Sequence, residues 1–463
     1  MDISAEEAMR LIQAAESMTP EQILKLQNER LHKLVDYARE HSPAYAELYR
    51  GIPKDYQVTD LPSTDKKSLM SAGYENWWTD HDIRREDAAA YLAKDPETRG
   101  SFMGKYTMLT TSGTTGEPLM MVRDGHRNAI HGAILQSRLF GAIGDLLDFS
   151  RHRNAALVLD DPRISSYSSF LRRQKSRPGF EQNMLCVPVR LSTDEKVRLL
   201  NEFQPELITG YPSEALLMAI QQKKGLLHIA PKAFVCSAEM LTREMYQTLK
   251  EAFNDCAVLN NYCMTEGGEA ACMARCPHLH VNADWIILEP VDENKKLIRG
   301  GFRGAKYPPE LETDGKTWSK GVFVTDLSNF VQPIIRYYIE DSVRIRPSDC
   351  EVSRFPQIEI KGRVSPIRQI CGCDVPQQLL EHTLELMDGV VLYQFVQTGP
   401  DSLEVRGVLA EDAEPDKVHS ELLETVRKAL TEAGCGACRL SWSDEPPVRN
   451  ARGGKLSLYV VQF

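Results

Sequence analysis

No apolar run in this chain approaches the ~20 residues that cross a bilayer, so no membrane-spanning helix is expected. Positive charge is also in deficit. Lys and Arg number 55 against 65 Asp and Glu, a net charge of −10, which argues against nucleic acid as the partner because a phosphate backbone needs a positive surface. The N-terminal stretch MDISAEEAMRLIQAAESM has neither the charged and apolar order of a secretory signal nor the arginines of a transit peptide, so the cytosol is the expected location. Internal repeats and low-complexity tracts are missing too, which excludes a solenoid. The 11 cysteines are odd in number and irregularly spread, a pattern of reduced thiols or a few metal ligands rather than of a disulfide framework.

What is present is an ordinary globular composition, 42% hydrophobic and 26% charged over 463 residues. Over residues 22–40 the positions Leu24, Leu31, Leu34, Val35 and Ala38 recur at helical spacing and predict a packed surface helix. In the middle, LITG, ALLMAIQQKKG, AFVCS, REMYQTLKEAF and CAVLNNY alternate strand-like and helical periods, which predicts βαβ units and a mostly parallel sheet. Beyond about residue 362 the elements shorten. The fold expected is therefore α/β, with a large domain over 1–362 and a small α+β domain over 363–463. The basic stretch RRQKSRPGF, residues 172–180, reads as a solvated loop.

Three strings carry chemistry. TTSGTTGEP, Thr110 to Pro118, packs hydroxyls and two glycines between apolar stretches, so that backbone amides can close on phosphate oxygens without a Cβ in the way. It lacks Gly-Lys-Ser/Thr and is not a Walker A loop. NNYCMTEGGE, Asn260 to Glu269, follows the apolar run AVL and should sit at the carboxyl end of a strand, where parallel sheets hold ligands. Its aromatic, hydroxyl and carboxylate suit a base, a phosphate and Mg²⁺. VTDLSNFVQPIIRYYIED, Val324 to Asp341, precedes IEIKGR; Asp341 can accept from both hydroxyls of a ribose and Arg363 can meet an anion. Separately, the spacing of Cys and His in CMARCPHLH, Cys272 to His280, suits zinc.

In this order the strings resemble the adenylate-forming superfamily of acyl- and aryl-CoA synthetases and luciferases, and within it the phenylacetate-CoA ligase-like branch. The resemblance runs through LPSTDKKSLM, TTSGTTGEP, ITGYPS, CSAE, YCMTE, PIIRYYIED, the Gly362–Arg363 pair and GGK at 453–455. It implies a two-step ligase. A carboxylic acid, expected to be aromatic, attacks ATP to give acyl-AMP and pyrophosphate, and CoA then takes the acyl group as a thioester; the alternatives are transfer to an amine or a carrier protein, and a nucleotide-binding homologue without turnover. By motif match Ser112, Gly113, Thr114, Thr115 and Gly116 hold the outer phosphates, Thr265 the α-phosphate and Glu266 the Mg²⁺, Tyr262 flanks the adenine, and Asn261, Ala238 and Glu239 belong to the nucleotide site, the stretch from Cys236 to Glu239 also walling the acid pocket. Asp341 takes the ribose, Arg363 stands at the domain boundary, and Lys455 reaches the reacting carboxylate. Tyr211, Pro212 and Ser237 are expected as walls of the acid pocket.

The resemblance also implies zinc on Cys276, His280 and Cys350, with Val352 standing where a further Cys is usual and Cys272 or His278 open as a fourth ligand. Two other positions depart from the branch: Cys263 replaces the usual Gly, and Ser365 the usual Asp two residues after the boundary Arg. The second places the acyl-transfer step in question more than the adenylation. Pairing of the chain with a second copy is left open.

Overall fold

The computed structural model describes residues 3–94, 101–111, 118–161, 165–175, 179–298, 317–363, 367–384, 387, 389–410, 413–449 and 456–463. The chain divides into two compact units, Met1–Leu241 with Leu249–Arg363, and Thr242–Thr248 with Val364–Phe463.

The larger unit opens on helices. Pro20–His41 begins at a capping box in which Thr19 accepts from Gln22 N and Gln22 returns a bond to Thr19 N, with Pro20 in the first turn where its missing N–H costs nothing. Leu24, Leu31, Leu34, Val35 and Ala38 all lie on its buried face. A hairpin of β1 (Thr107–Thr110) and β2 (Met120–Arg123) brackets the hydroxyl-rich loop. The strands that follow are β3 (Asn154–Val158), β4 (Met184–Pro188), β5 (Leu207–Gly210), β6 (Ala233–Ser237), β7 (Ala257–Met264), β8 (Gly268–Met273) and β9 (Leu279–Val281). Then come β10 (Ile286–Val291), β11 (Gly321–Asp326), β12 (Ile334–Ile339), β13 (Asp341–Arg346) and β14 (Gln357–Arg363).

Among the described residues the main sheet has the order β13-β14-β9-β8-β7-β6-β5-β3-β4. Its β4-β3-β5-β6-β7 half is parallel, built by helical crossovers such as Thr193–Phe203 and Pro212–Lys223. From β7 onward every pairing is antiparallel, so the parallel character predicted from the alternating periods is confined to one half. A second sheet, β10-β11-β12, is antiparallel, and each of its first two strands is buried end to end. The basic stretch read as a loop begins inside the helix Ser165–Lys175, and residues 176–178 lie outside the described residues.

In the smaller unit β15 (Ile367–Ile370) and β16 (Cys373–Pro376) form a hairpin. The helix Pro415–Glu432 packs its Val418, Leu422, Val426 and Leu430 stripe inward, and β17 (Val390–Gly399), β18 (Ser402–Leu409), β19 (Arg439–Ser443) and β20 (Tyr459–Val461) form a sheet of order β19-β18-β17-β20. Among the described residues no helix is long and apolar enough to cross a membrane.

Candidate active site

Sheet register brings three of the sequence motifs side by side. Gly210 at the end of β5 pairs with Cys236 on β6, Cys236 with Asn260 on β7, and Ser237 with Asn261, all at carboxyl ends of parallel strands. Gly210 has φ +153°, and a Cβ there would stand 2.1 Å from Leu157 O, so only glycine lets the chain turn so close to β3. Tyr211 and Pro212 follow at the start of the helix Pro212–Lys223, both buried, with the Tyr211 hydroxyl 3.4 Å from Ser166 Oγ. Glu239 has a role the sequence did not disclose: its Oε2 accepts from Ser213 N at 3.2 Å and Ser213 Oγ at 2.6 Å. That carboxylate therefore caps the helix N-terminus, where negative charge is favoured. Ala238 beside it is held at φ +70°, a conformation L-residues seldom adopt.

The second focus is the turn from β7 to β8, which carries Thr265 and Glu266. Arg123 at the end of β2 donates to Thr265 O at 2.8 Å. Tyr262 on β7 donates its phenol to Asp341 Oδ2 at 2.6 Å, joining two motifs that lie 79 residues apart. Asp341 in turn pairs with Arg363 across β13 and β14, so the expected ribose carboxylate and boundary arginine occupy paired strand positions, and the side-chain bond brings the expected adenine-flanking ring to the first of them. Asn261 is buried and accepts from Cys272 Sγ at 3.4 Å. The LPST motif joins the same frame: Thr64 donates from N to Arg336 O and from its hydroxyl to Ile335 O.

Behind this turn lies a buried polar network that sequence reasoning missed. His131 Nδ1 is 2.5 Å from Glu269 Oε2, and its Nε2 is 3.1 Å from Ser328 Oγ and 3.6 Å from Asp326 Oδ1. Arg127 donates from Nε to Asp326 Oδ2 at 2.9 Å. Burial alone would raise Glu269, but the charges of His131, Arg127 and Arg123 outweigh it and push the carboxyl down to about 2. Asp326 is lowered in the same way, against its burial, by Arg127 and His131. For His131, burial and Arg127 act downward, yet the two carboxylates win and raise it. The signal was available: Arg127 and His131 stand four apart on one helix, and Glu269 and Asp326 lie inside the quoted strings. Gly268 faces this network at φ +68°, where a Cβ would stand 2.2 Å from His131 Cε1.

A separate cluster gathers Cys276, His280 and Cys350, whose ligand atoms all lie within 4.8 Å of one another. Cys276 Sγ is 3.0 Å from His280 Nε2, and His280 Nδ1 faces Phe355 O at 2.8 Å. If Nδ1 carries the proton and donates to that carbonyl, Nε2 presents its lone pair toward the sulfurs, the arrangement of a metal-ligating histidine. Cys272 does not join: it is buried between Asn261 and Asn282, and its thiol is pushed up to about 12, first by burial. His278 is exposed, as is Val352. The cluster is thus a three-ligand set of two thiols and an imidazole, a donor chemistry that fits zinc. Ser112, Gly113, Thr114, Thr115, Gly116 and Lys455 lie outside the described residues, and of Arg363 only the backbone is described.

No family model matches the chain. Phenylacetate-coenzyme A ligase of Thermus thermophilus is 26% identical over 423 residues, which cover 86% of this chain and 84% of that protein. Among solved structures, 2-hydroxyisobutyryl-CoA ligase in the postadenylation state with 2-HIB-AMP superimposes with a TM-score of 0.61 at 16% identity, covering 95% of this chain and 89% of the other. The same ligase in an open conformation with 2-HIB-AMP and CoA gives 0.53 at 17% identity, covering 95% and 90%. In sequence this chain resembles the phenylacetate-CoA ligase-like branch of the adenylate-forming superfamily, and its fold is that of acyl-CoA ligases of the same superfamily.

Proposed function

We propose that the protein activates a carboxylic acid with ATP, releasing pyrophosphate, and passes the acyl group from the resulting acyl-AMP to CoA as a thioester. The observation that carries this is the Tyr262–Asp341 hydrogen bond at 2.6 Å, with Arg363 in register with Asp341 on the next strand. The substrate carboxylate attacks the α-phosphorus and the bond to pyrophosphate breaks; the CoA thiol then attacks the acyl carbon and AMP leaves. Tyr262 flanks the adenine and its hydroxyl orients Asp341 for the ribose. Thr265 donates to the α-phosphate. The Ser112–Gly116 loop holds the leaving pyrophosphate, and Lys455 offsets the charge that builds on the pentavalent centre, a term worth roughly 10²-fold or more.

Glu266 is half-buried, close enough to help raise the phenol of buried Tyr337 after burial itself, and its carboxylate is a hard donor that fits Mg²⁺. Bound there, the ion would neutralise phosphate charge. Zinc on Cys276, His280 and Cys350 would be structural. An aromatic acid is the substrate class we favour, and the cytosol, where ATP and CoA are at hand, is the location that suits the reaction.

The test is acid-dependent pyrophosphate release from ATP and Mg²⁺ over a panel of aryl and short acyl acids, with and without CoA, for wild type and Lys455→Ala. Release stimulated by one acid and lost in the variant supports adenylation, and CoA-dependent AMP release supports the thioester product. Release that turns over only with an amine or a carrier protein would instead favour the reading that Ser365 motivates. No release from any acid despite ATP binding would overturn the proposal.

A further inference from the structure

The β1–β2 hairpin that brackets the hydroxyl-rich string pairs with no further strand among the described residues, and two strands alone are marginal in water. Side chains hold it instead. Along the outer edge of β2, Tyr74 Oη accepts from Met120 N at 3.0 Å. Gln332, buried in the segment between β11 and β12, accepts from Val122 N at 2.6 Å and donates to Met120 O at 3.1 Å. Asn329, equally buried, donates to Val122 O at 3.0 Å. Four backbone groups that another strand would pair are thus met by three side chains, which fixes the hairpin within the larger unit.

At the end of β2, five residues past Pro118, Arg123 is only 5% exposed. Its Nη2 donates at 2.8 Å to the carbonyl of Thr265 in the turn from β7 to β8. That turn does not need an arginine to close. Met264 pairs with Gly268 across three residues, and Gly267 is packed so tightly that a Cβ would stand 2.8 Å from Val324 Cγ1 and 3.0 Å from Met264 Sδ. What the arginine adds is a link between segments 142 residues apart. We infer, on the reading that this site adenylates an acid, that Arg123 is a positioning residue: it ties the hairpin carrying the Ser112–Gly116 string to the Thr265–Glu266 turn, so that both meet one triphosphate at a fixed spacing.

The contact acts through the backbone. A trans peptide is planar, with its C=O and N–H pointing opposite ways, so gripping Thr265 O turns the Glu266 N–H away from the guanidinium and limits rotation about the Thr265 backbone. A charged donor holds a carbonyl more firmly than a neutral one. The same charge reaches Glu269, whose carboxyl it helps hold low, and so joins the turn to the His131 network as well. Without the arginine the β7–β8 ladder would still close the turn, but its spacing from the hairpin would be set by packing alone. Misplacing a reacting group by about 1 Å costs about 10²-fold in rate.

The experiment is a double-mutant cycle on acid-dependent pyrophosphate release: wild type, Arg123→Met, Thr265→Ala and the two together, with kcat and the KM for ATP and for the acid measured on each. Arg123→Met should lower kcat by about 10- to 100-fold while the acid KM shifts by less than about twofold. Acting through Thr265, the arginine should matter little once that side chain is gone, so the double variant should lose scarcely more than Thr265→Ala alone. Arg123→Lys, which keeps a cationic donor, should recover part of the loss, and it takes the place of Arg123→Met in the cycle if that variant fails to fold. Losses that multiply in the double variant, or wild-type kcat in the Arg123 variants, overturn the inference and leave the adenylating site standing. No release from wild type with any acid, despite ATP binding, overturns the adenylating reading itself and this role with it.

Discussion

Replacing Tyr262 with Phe removes one oxygen and leaves the ring, so it separates orientation of Asp341 from stacking on the base. The hydroxyl donates at 2.6 Å to the Asp341 carboxylate, and the pair is only part-buried. A hydrogen bond to a charged group is worth about 1.5–3 kcal/mol. Solvent screening at a half-open site puts the expected loss near the lower end, about 1.5–2 kcal/mol, or roughly 10- to 30-fold in kcat/KM for ATP at about 1.4 kcal/mol per decade. The assay is pyrophosphate release against ATP and against 2′-deoxy-ATP. If the hydroxyl acts by aiming Asp341 at the ribose, Tyr262→Phe should lose more against ATP than against the deoxynucleotide, so that wild-type discrimination shrinks, while the thermal midpoint moves little. Equal losses on both nucleotides, or none, would refute the reasoning.

Glu269→Gln should reshape the acid limb of stability. The folded-state pKa near 2 lies below the ordinary value of 4.5, so this carboxylate stabilises the fold above about pH 4.5 and loses that contribution as pH falls toward 2. The variant should therefore cost about 3 kcal/mol at neutral pH in urea unfolding and show a flatter decline on acidification; a parallel decline would count against the network. His131 is raised, so its share is present below about pH 6.5 and fades as pH rises through its folded value, and His131→Gln should remove the alkaline part of the profile. Gly268→Ala should give little soluble protein, because its Cβ would press on His131 at a positive φ; wild-type yield and melting would contradict the geometry. Glu239→Ala removes the cap on Pro212–Lys223 and should cost about 1 kcal/mol, read by thermal melting.

Much of the frame was legible in the sequence, and the reasons are local. The stripe of Leu24 through Ala38 obeys a period of 3.6, AFVCS is β6 residue for residue, and the run AVL opens β7 just ahead of the turn with Thr265 and Glu266. What stayed hidden depends on partners distant in sequence. The capping role of Glu239 was hidden because nothing local says that Ser213, 26 residues back, offers it two donors. Cys272 sits in the same short string as Cys276, yet it lies on β8, where Asn261 and Asn282 take its sulfur, while the cluster recruits Cys350 instead. The antiparallel half of the main sheet was equally invisible, since its short strands carry no helical crossovers to betray their direction.

The strand β7 has a parallel neighbour on one side and an antiparallel neighbour on the other. Turns after β5 and β6 lead into long excursions before the chain returns, so they can gain or lose residues without disturbing the sheet. The turn after β7 cannot, because Met264 pairs with Gly268 and only three residues span the gap. An inserted residue there would break the β7–β8 ladder and displace Thr265 or Glu266. Length variation among descendants of this fold should therefore gather in the turns after β5 and β6 and spare the turn that carries Thr265 and Glu266.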